Sequence, residues 1–104
     1  MTNQTMTQLM DTPVTKNPNF VSRRIGGELL LIPIRNNAAD LDGFFRLNDT
    51  GAFILEQIEG GRNGREISML VAGHFAVDAA AADSDTAAFL ENLHSIGFIQ
   101  PVQP

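Results

Sequence analysis

The strongest constraint on the fold is the stretch FFRLNDTGAFILEQIEGG, because the spacing of its apolar residues changes part-way along it. Alternation puts Phe45 and Leu47 on one face of a short strand and Phe44 and Arg46 on the other. After Asn48, a residue type that often caps helices, apolar residues recur at helical spacing. The sequence therefore predicts strands before this junction and helices after it.

Three strands are predicted before the junction. The runs from Phe20 to Ile25 and from Glu28 to Arg35 are separated by Gly26-Gly27, which is a two-residue hairpin signal. Pro33 has no N–H to donate, so we expect that side of the residue to face solvent or a strand end. The third strand is short and is predicted from Gly43 to Leu47.

Three helices are predicted after the junction. The first follows Asn48 and ends at a pair of glycines. The second follows Asn63, which forms a capping-box pattern with Glu66. The third follows the cap Asp78 and runs from about Ala79 to Ile96. Its apolar face is centred on Ala82, Phe89, Leu93 and Ile96, with Leu90 on one shoulder and Asp85, Ala88 and Asn92 on the other.

This order of elements predicts an α+β fold, a three-stranded antiparallel sheet followed by three helices. It resembles a winged helix-turn-helix whose wing lies on the N-terminal side. The domain is predicted over residues 20–99. Residues 1–19 are polar and aperiodic, so we predict a flexible tail, with folding onto a partner as the alternative. Residues 100–104 are predicted to be a loose end.

The charge and cysteine content narrow the possible functions. The formal net charge is −5, and residues 66–104 contain no Lys or Arg, so the third helix is a poor candidate for reading DNA. The chain has no cysteine, which rules out disulfides, thiolate metal sites and iron–sulfur clusters and fits a reducing compartment. Without a secretory signal or a membrane-length apolar run, we expect a cytoplasmic protein.

Catalysis is not predicted. His74 and His94 are the only obvious catalytic candidates. His74 lies at the edge of the apolar face of the second helix, where a structural histidine is expected, and His94 lies on the exposed side of the Leu90 shoulder of the third helix. The sequence contains no histidine pair at metal-ligand spacing and no glycine-rich phosphate loop. We therefore predict neither an enzyme nor a bound cofactor or metal.

The motifs, taken in order, resemble the PqqD family of peptide chaperones, whose fold is also called the RiPP recognition element. The resemblance covers roughly Phe20 to Ile99. It rests on LN-x-T-G at Leu47–Gly51, the EGG turn at Glu59–Gly61, EI at Glu66–Ile67, and D-x-x-x-FL-x-x-L-x-x-x-GFI from Asp85 to Ile99.

The resemblance implies a non-catalytic function. Family members bind the leader segment of a ribosomally made precursor peptide and present the peptide to a modifying enzyme, often a radical S-adenosylmethionine enzyme. The leader lies as an added antiparallel strand between the third strand and the third helix. The expected partners are a precursor peptide and its modifying enzyme, and the chain is a monomer or, through its free strand edge, a weak homodimer. The alternative is an adaptor that docks a folded partner enzyme.

Strand addition needs a free backbone edge beside pockets for side chains. The expected binding residues are Phe44, Phe45, Arg46, Leu47, Ala81, Asp85, Ala88, Phe89 and Asn92. Some of them also have a structural interpretation. Phe45 and Leu47 are expected in the core, Phe44 under the N-terminal segment, and Asp85 as a solvated charge. Arg46 is expected to pair either with an acidic leader residue or with Asp85 across the empty groove.

Overall fold

The computed structural model describes residues 4–35, 38–39 and 43–102. The outermost residues of both predicted ends, 1–3 and 103–104, lie outside the described part. The elements, in chain order, are α1 (Gln4–Asp11), β1 (Val14–Lys16), β2 (Phe20–Ile25), β3 (Glu28–Arg35), β4 (Ala38–Ala39), β5 (Phe45–Leu47), α2 (Asp49–Glu59), α3 (Gly64–Phe75), α4 (Ala79–Ser95) and β6 (Ile99–Pro101).

The main sheet is antiparallel and is organised around β3. β2 pairs with one edge of β3 through the predicted Gly26-Gly27 hairpin, with Ile25 opposite Glu28. β5 and the two-residue β4 pair with the other edge of β3. Pro33 lies between the residues of β3 that pair with β5 and those that pair with β4. Its lack of an N–H therefore costs no hydrogen bond to β5, whose pairing ends at Leu31, as expected for a proline beside a strand end.

The predicted helix caps are confirmed. The Asn48 side chain accepts a hydrogen bond from the N–H of Gly51 at 2.8 Å, which fixes the start of α2. At the start of α3, the backbone N–H of Asn63 donates to the Glu66 carboxylate and that of Glu66 donates to the Asn63 side chain, both at 2.9 Å. Asp78 caps α4 by accepting from the N–H of Ala81 at 2.7 Å.

The N-terminal segment differs from the flexible tail predicted for residues 1–19. It forms α1 and β1, and Leu9 is 0% exposed in the core beside Met10. A Cβ at Gly64 would lie 2.8 Å from the Leu9 carbonyl oxygen, so glycine allows this close approach of α1 to the start of α3. The polar composition of the segment masks a short amphipathic helix, α1. Its apolar residues Leu9 and Met10 are enough to dock it against the core.

Polar contacts and a second small sheet also tie the two ends of the chain to the domain. Arg65 donates a hydrogen bond to the Asp11 carboxylate, which raises the pKa of Arg65. Because this pair lies at the surface, it contributes little to stability. β1 pairs with β6 from Val14 opposite Pro101 to Lys16 opposite Ile99. The predicted loose end at residues 100–104 is therefore paired as far as Pro101.

The buried stripe of α4 is rotated towards Leu90 relative to the sequence-based prediction. Its buried residues are Ala82, Thr86, Leu90 and Leu93, whereas Phe89 and Ile96 are only partly buried. Thr86 is not part of the predicted apolar face, because threonine carries a hydroxyl group and is not counted as apolar. Its side-chain oxygen is buried without a hydrogen-bond partner among the described residues. The rotation leaves Phe89 at the margin of the core.

The buried Thr86 hydroxyl gives the first testable prediction. Thr86→Val keeps the side-chain shape and removes a polar group that makes no bond, so we expect the free energy of unfolding to rise by about 1 kcal/mol. Thr86→Ser keeps the hydroxyl, removes a methyl group and should lower the free energy. Urea denaturation followed by circular dichroism measures both changes. A less stable Thr86→Val variant would contradict this assignment.

Candidate functional site

β5 is a three-residue strand at the edge of the main sheet. Its inner edge pairs with β3, with Phe45 opposite Leu31 and Leu47 opposite Leu29. Across residues 4–35, 38–39 and 43–102, no strand pairs with its outer edge. Such an edge offers unpaired backbone donors and acceptors to an incoming strand.

The hydrogen-bond alternation of β3 determines which groups face that free edge. The N–H of Ile34 donates to the Asn19 carbonyl at 2.7 Å, so the even-numbered residues of β3 bond towards β2. The odd-numbered residues bond towards β5 and engage Phe45 and Leu47. The N–H and C=O of Arg46 therefore point away from the sheet, and they are the groups available to a further strand.

A cavity of about 320 Å³ lies between α2 and α4. One of its lining residues, Asn48, directly follows β5, so the cavity is close to the free edge of that strand. Its lining residues are Asn48, Thr50, Gly51, Ile54, Asp85, Ala88, Phe89 and Asn92. The structure thus brings four predicted site residues of α4 together in one cavity. Ala81, also predicted, is exposed on α4 but does not line it.

The floor of the cavity depends on a close contact between α2 and α4. A Cβ at Gly51 would lie 2.9 Å from the Phe89 ring, so the absence of a side chain lets the ring lie against α2. Ile54 is fully buried beside it, and Ala88 contributes only a methyl group. The cavity therefore has an apolar floor with room above a small side chain.

The rim of the cavity is polar. The Asn48 side-chain oxygen is used by the α2 cap, whereas the side chains of Thr50, Asp85 and Asn92 make no hydrogen bond within the described part of the chain. Asp85 is the one charged residue among the lining residues. The rim thus offers a carboxylate, a carboxamide and a hydroxyl to a guest.

The two phenylalanines at β5 depart from the structural roles considered for them, whereas Leu47 does not. Phe45 faces the core side but is 38% exposed, because β5 lies at the margin of the sheet, so its expected core position is wrong. Leu47 is partly buried against the core, as expected. Phe44 is 40% exposed rather than buried. Both rings leave apolar surface beside the free edge.

Arg46 does not pair with Asp85, which was one of the two alternatives for it. It forms an ion pair with Glu28 at 3.0 Å, and its guanidinium carbon lies 5.9 Å from the centre of the Phe44 ring. Arg46 is opposite Leu30, so it shares the outer face of the sheet with Glu28, two residues along β3. The guanidinium therefore lies on the opposite side of the sheet from the core.

The histidines have structural surroundings. The exposed His74 ring stacks on Phe53 with 4.3 Å between ring centres and meets Phe75 edge-on, and His94 is partly buried near the end of α4. Within the ranges that the structure describes, no three His, Cys, Asp or Glu side chains are grouped to hold a metal ion. None of the described helices has the length and apolar character needed to cross a bilayer.

The fold and the cavity together define a class of protein with a winged-helix-like α+β domain in which the open edge of β5 lies near the last long helix. The family model described as "Coenzyme PQQ synthesis protein D (PqqD)" matches residues 31–99. The chain therefore belongs to the PqqD family, which confirms the resemblance found in its motifs. No curated protein sequence gives a significant match.

Three solved structures share the fold at low sequence identity. "Lasso peptide synthetase B1 complexed with the leader peptide" matches with a TM-score of 0.73 and 20% identity, covering 86% of this chain and 99% of that one. "TbiB1 in Complex with the TbiA(beta) Leader Peptide" matches with a TM-score of 0.70, 21% identity and the same coverage. The PqqD part of PqqCD from Methylobacterium extorquens, described as a stand-alone RiPP recognition element, matches with a TM-score of 0.64 and 15% identity, covering 84% and 87%.

Half of the cavity lining was missed by sequence reasoning. The α2 residues Thr50, Gly51 and Ile54 were interpreted only as parts of a helix and its core face, and Asn48 only as a cap. A usable signal was present in the spacing of Asn48, Gly51 and Ile54, which places the cap and the glycine on the same side of the helix as a core residue. That spacing indicates a close helix contact but does not identify its partner.

Proposed function

We propose that this chain is a non-catalytic peptide chaperone that acts in the cytoplasm. It binds the leader segment of a ribosomally made precursor peptide as a strand added to the outer edge of β5, with α4 as the other wall of the groove, and presents the peptide to a modifying enzyme. The supporting observation is that the outward N–H and C=O of Arg46 lie on an unpaired edge next to the cavity at α4.

An added strand suits this geometry for a simple reason. Its backbone bonds to Arg46 irrespective of sequence, while its alternate side chains point to opposite sides of the sheet. One side chain then reaches the cavity between α2 and α4, on the face of the sheet that carries Phe45. Its neighbours point to the outer face, where Phe44 lies. Backbone bonds contribute affinity, and the cavity contributes specificity.

The similar structures support the proposal by analogy. Two of them are complexes with a leader peptide, and the third is described as a functional recognition element for ribosomally synthesised, modified peptides. This chain retains the shared fold over more than four-fifths of its length. The identity of the precursor and of the modifying enzyme belongs to each system and does not transfer.

The proposal is tested with an array of overlapping synthetic peptides from the small open reading frames that flank the gene. We expect at least one peptide from the N-terminal half of a small open reading frame to bind with a Kd on the order of micromolar. Titration of that peptide into ¹⁵N-labelled protein should shift the amide of Arg46 and the amides of α4 around Ala88. Binding that shifts other surfaces and leaves these amides unchanged would contradict the groove.

Phe44→Glu gives a second test of the same edge. Phe44 is exposed, so we expect the substitution to change the free energy of unfolding by less than about 0.5 kcal/mol and to weaken peptide binding several-fold. Calorimetry or a labelled peptide measures the affinity. Ile25→Glu is the matched control, because Ile25 is also an exposed apolar residue of the domain but lies on β2, the opposite edge strand. Equal losses in both variants would contradict the proposed position of the leader.

A second candidate function, an adaptor for a folded enzyme, is favoured by one observation. The outer side of α3 and the turn after it expose Met69, Leu70 and Val77, and Met69 is 75% exposed. Adjacent apolar residues of this kind suit docking of a protein surface. If Met69→Glu abolishes binding of the enzyme and leaves peptide binding unchanged, the enzyme docks on this surface and the leader peptide binds elsewhere.

A further inference from the structure

We infer that the leader residue held in the cavity between α2 and α4 is a lysine or an arginine whose charged end pairs with Asp85. The inference rests on the proposed function, since it specifies the chemistry of a side chain in the same groove. It goes beyond strand addition, because backbone pairing alone requires no particular residue in the guest.

The cavity between α2 and α4 carries a negative charge. Of its eight lining residues, only Asp85 is charged, and the lining includes no Lys, Arg or His. An acidic guest side chain would therefore meet a carboxylate with no cation to compensate it in the lining. A basic guest side chain would find an unpaired carboxylate within the groove.

The shape and polarity of the lining also fit a basic side chain. Ile54, Ala88 and Phe89 form an apolar floor, and Thr50, Asp85 and Asn92 provide hydrogen-bond acceptors that are not used elsewhere in the described part of the chain. Lysine and arginine have an apolar stem and a tip rich in donors, so they match both parts of the lining. A purely aliphatic side chain would leave these polar groups without partners.

Arg46, the cation of β5, is already paired. Arg46 is committed to Glu28 on the outer face of the sheet, so it does not neutralise Asp85. α4 adds Asp83 and Glu91, and from Glu66 to the end of the chain there is no Lys or Arg. Asp85 is the one charged residue of α4 that lines the cavity, and the helix as a whole carries three carboxylates and no Lys or Arg, so its net negative charge attracts a basic peptide.

The test uses the best-binding peptide of the array and a version of it in which each Lys and Arg is replaced, one at a time, by norleucine. We expect one replacement to weaken binding about three- to tenfold, as for an ion pair that is partly shielded from water. Asp85→Asn should weaken binding of the parent peptide by a similar factor and leave the affinity for the norleucine peptide unchanged. The factor should shrink as salt is raised.

Asp83→Asn is the matched control, because Asp83 is an exposed carboxylate of the same helix that faces the cavity beside Arg65 and Met69 instead. We expect it to leave peptide affinity unchanged. Asp85→Lys should bind the parent peptide poorly and recover affinity for a peptide with glutamate at the sensitive position. Equal effects of Asp83→Asn and Asp85→Asn, or full affinity of every norleucine peptide, would overturn the inference.

Failure of this inference is distinguishable from failure of the proposed function. A peptide that binds and shifts the Arg46 amide, yet does not depend on Asp85, overturns the basic anchor and leaves strand addition intact. If no array peptide binds, or if the bound peptide leaves β5 unperturbed, both are overturned.

Discussion

Leu9→Ala is expected to lower the free energy of unfolding by about 2–5 kcal/mol, a large part of the stability of a domain of this size. Leu9 is fully buried among residues of the central core and belongs to α1, which contacts α3, α4 and β6. Truncation leaves a cavity that the neighbouring backbone cannot close. Chemical denaturation gives the change in free energy, and hydrogen exchange reports whether α1 opens first.

Leu70→Ala is the matched control for this prediction. It makes the same substitution on α3 at a residue that is partly exposed, so the expected loss is below about 1 kcal/mol. If Leu9→Ala and Leu70→Ala cost the same small amount, α1 does not belong to the cooperative domain. Gly64→Val, which introduces a side chain where the backbone of α1 lies, should reproduce the loss seen for Leu9→Ala.

Ala88→Arg is expected to have the largest effect on peptide binding. The new side chain occupies part of the 320 Å³ cavity and places a cation beside Asp85. Burial of one guest side chain is worth about 1.5–3 kcal/mol, so its loss weakens binding roughly ten- to a hundredfold. Ala88 is exposed, and the fold should tolerate the change. Calorimetry with the best-binding array peptide measures the effect.

Ala80→Arg is the control for Ala88→Arg. Ala80 is an exposed alanine of the same helix, and it lines the cavity shared with Arg65 and Met69 rather than the groove. We expect Ala80→Arg to bind the peptide as the unchanged chain does. Unchanged binding in Ala88→Arg, with the fold intact, would show that the guest does not enter the cavity at α4.

The parts of the fold that were predicted depend on local chemistry. The hairpin at Gly26-Gly27, the caps at Asn48, Asn63 and Asp78, and the three long helices follow from residues within a few positions of each other, and the structure confirms them. Such signals are strong because turns and caps bond to their own backbone.

The N-terminal helix was missed for a physical reason. Leu9 and Met10 are the only apolar pair in their polar stretch, and their burial depends on a contact with Gly64, more than fifty residues away. Propensity over so short a segment is weak, and docking supplies the stabilisation. Met6, Leu9 and Met10 lie at helical spacing, but a pattern that spans only five residues is too short to predict a helix from the sequence.

The groove was predicted between the third strand and the third helix, whereas the cavity lies between α2 and α4, and Phe44 to Leu47 do not line it. Helical periodicity placed Asp85, Ala88 and Asn92 together on α4, and the structure puts all three on one cavity. The facing wall on α2 depends on how α2 and α4 pack against each other. Because Thr86 is part of the buried face of α4, Phe89 lies at its margin and contributes to the floor of the cavity. Packing between elements distant in sequence set this part of the site.

The short length of β5 affects the residence time of a bound peptide. A three-residue edge whose outward donor and acceptor both belong to Arg46 allows very few backbone bonds, and each contributes about 0.5–1.5 kcal/mol. Differences in affinity between related complexes lie mostly in the dissociation rate, so a short edge favours a short residence time. A short edge therefore keeps the backbone contribution to the residence time small and leaves most of the control over peptide release to the side chains in the cavity.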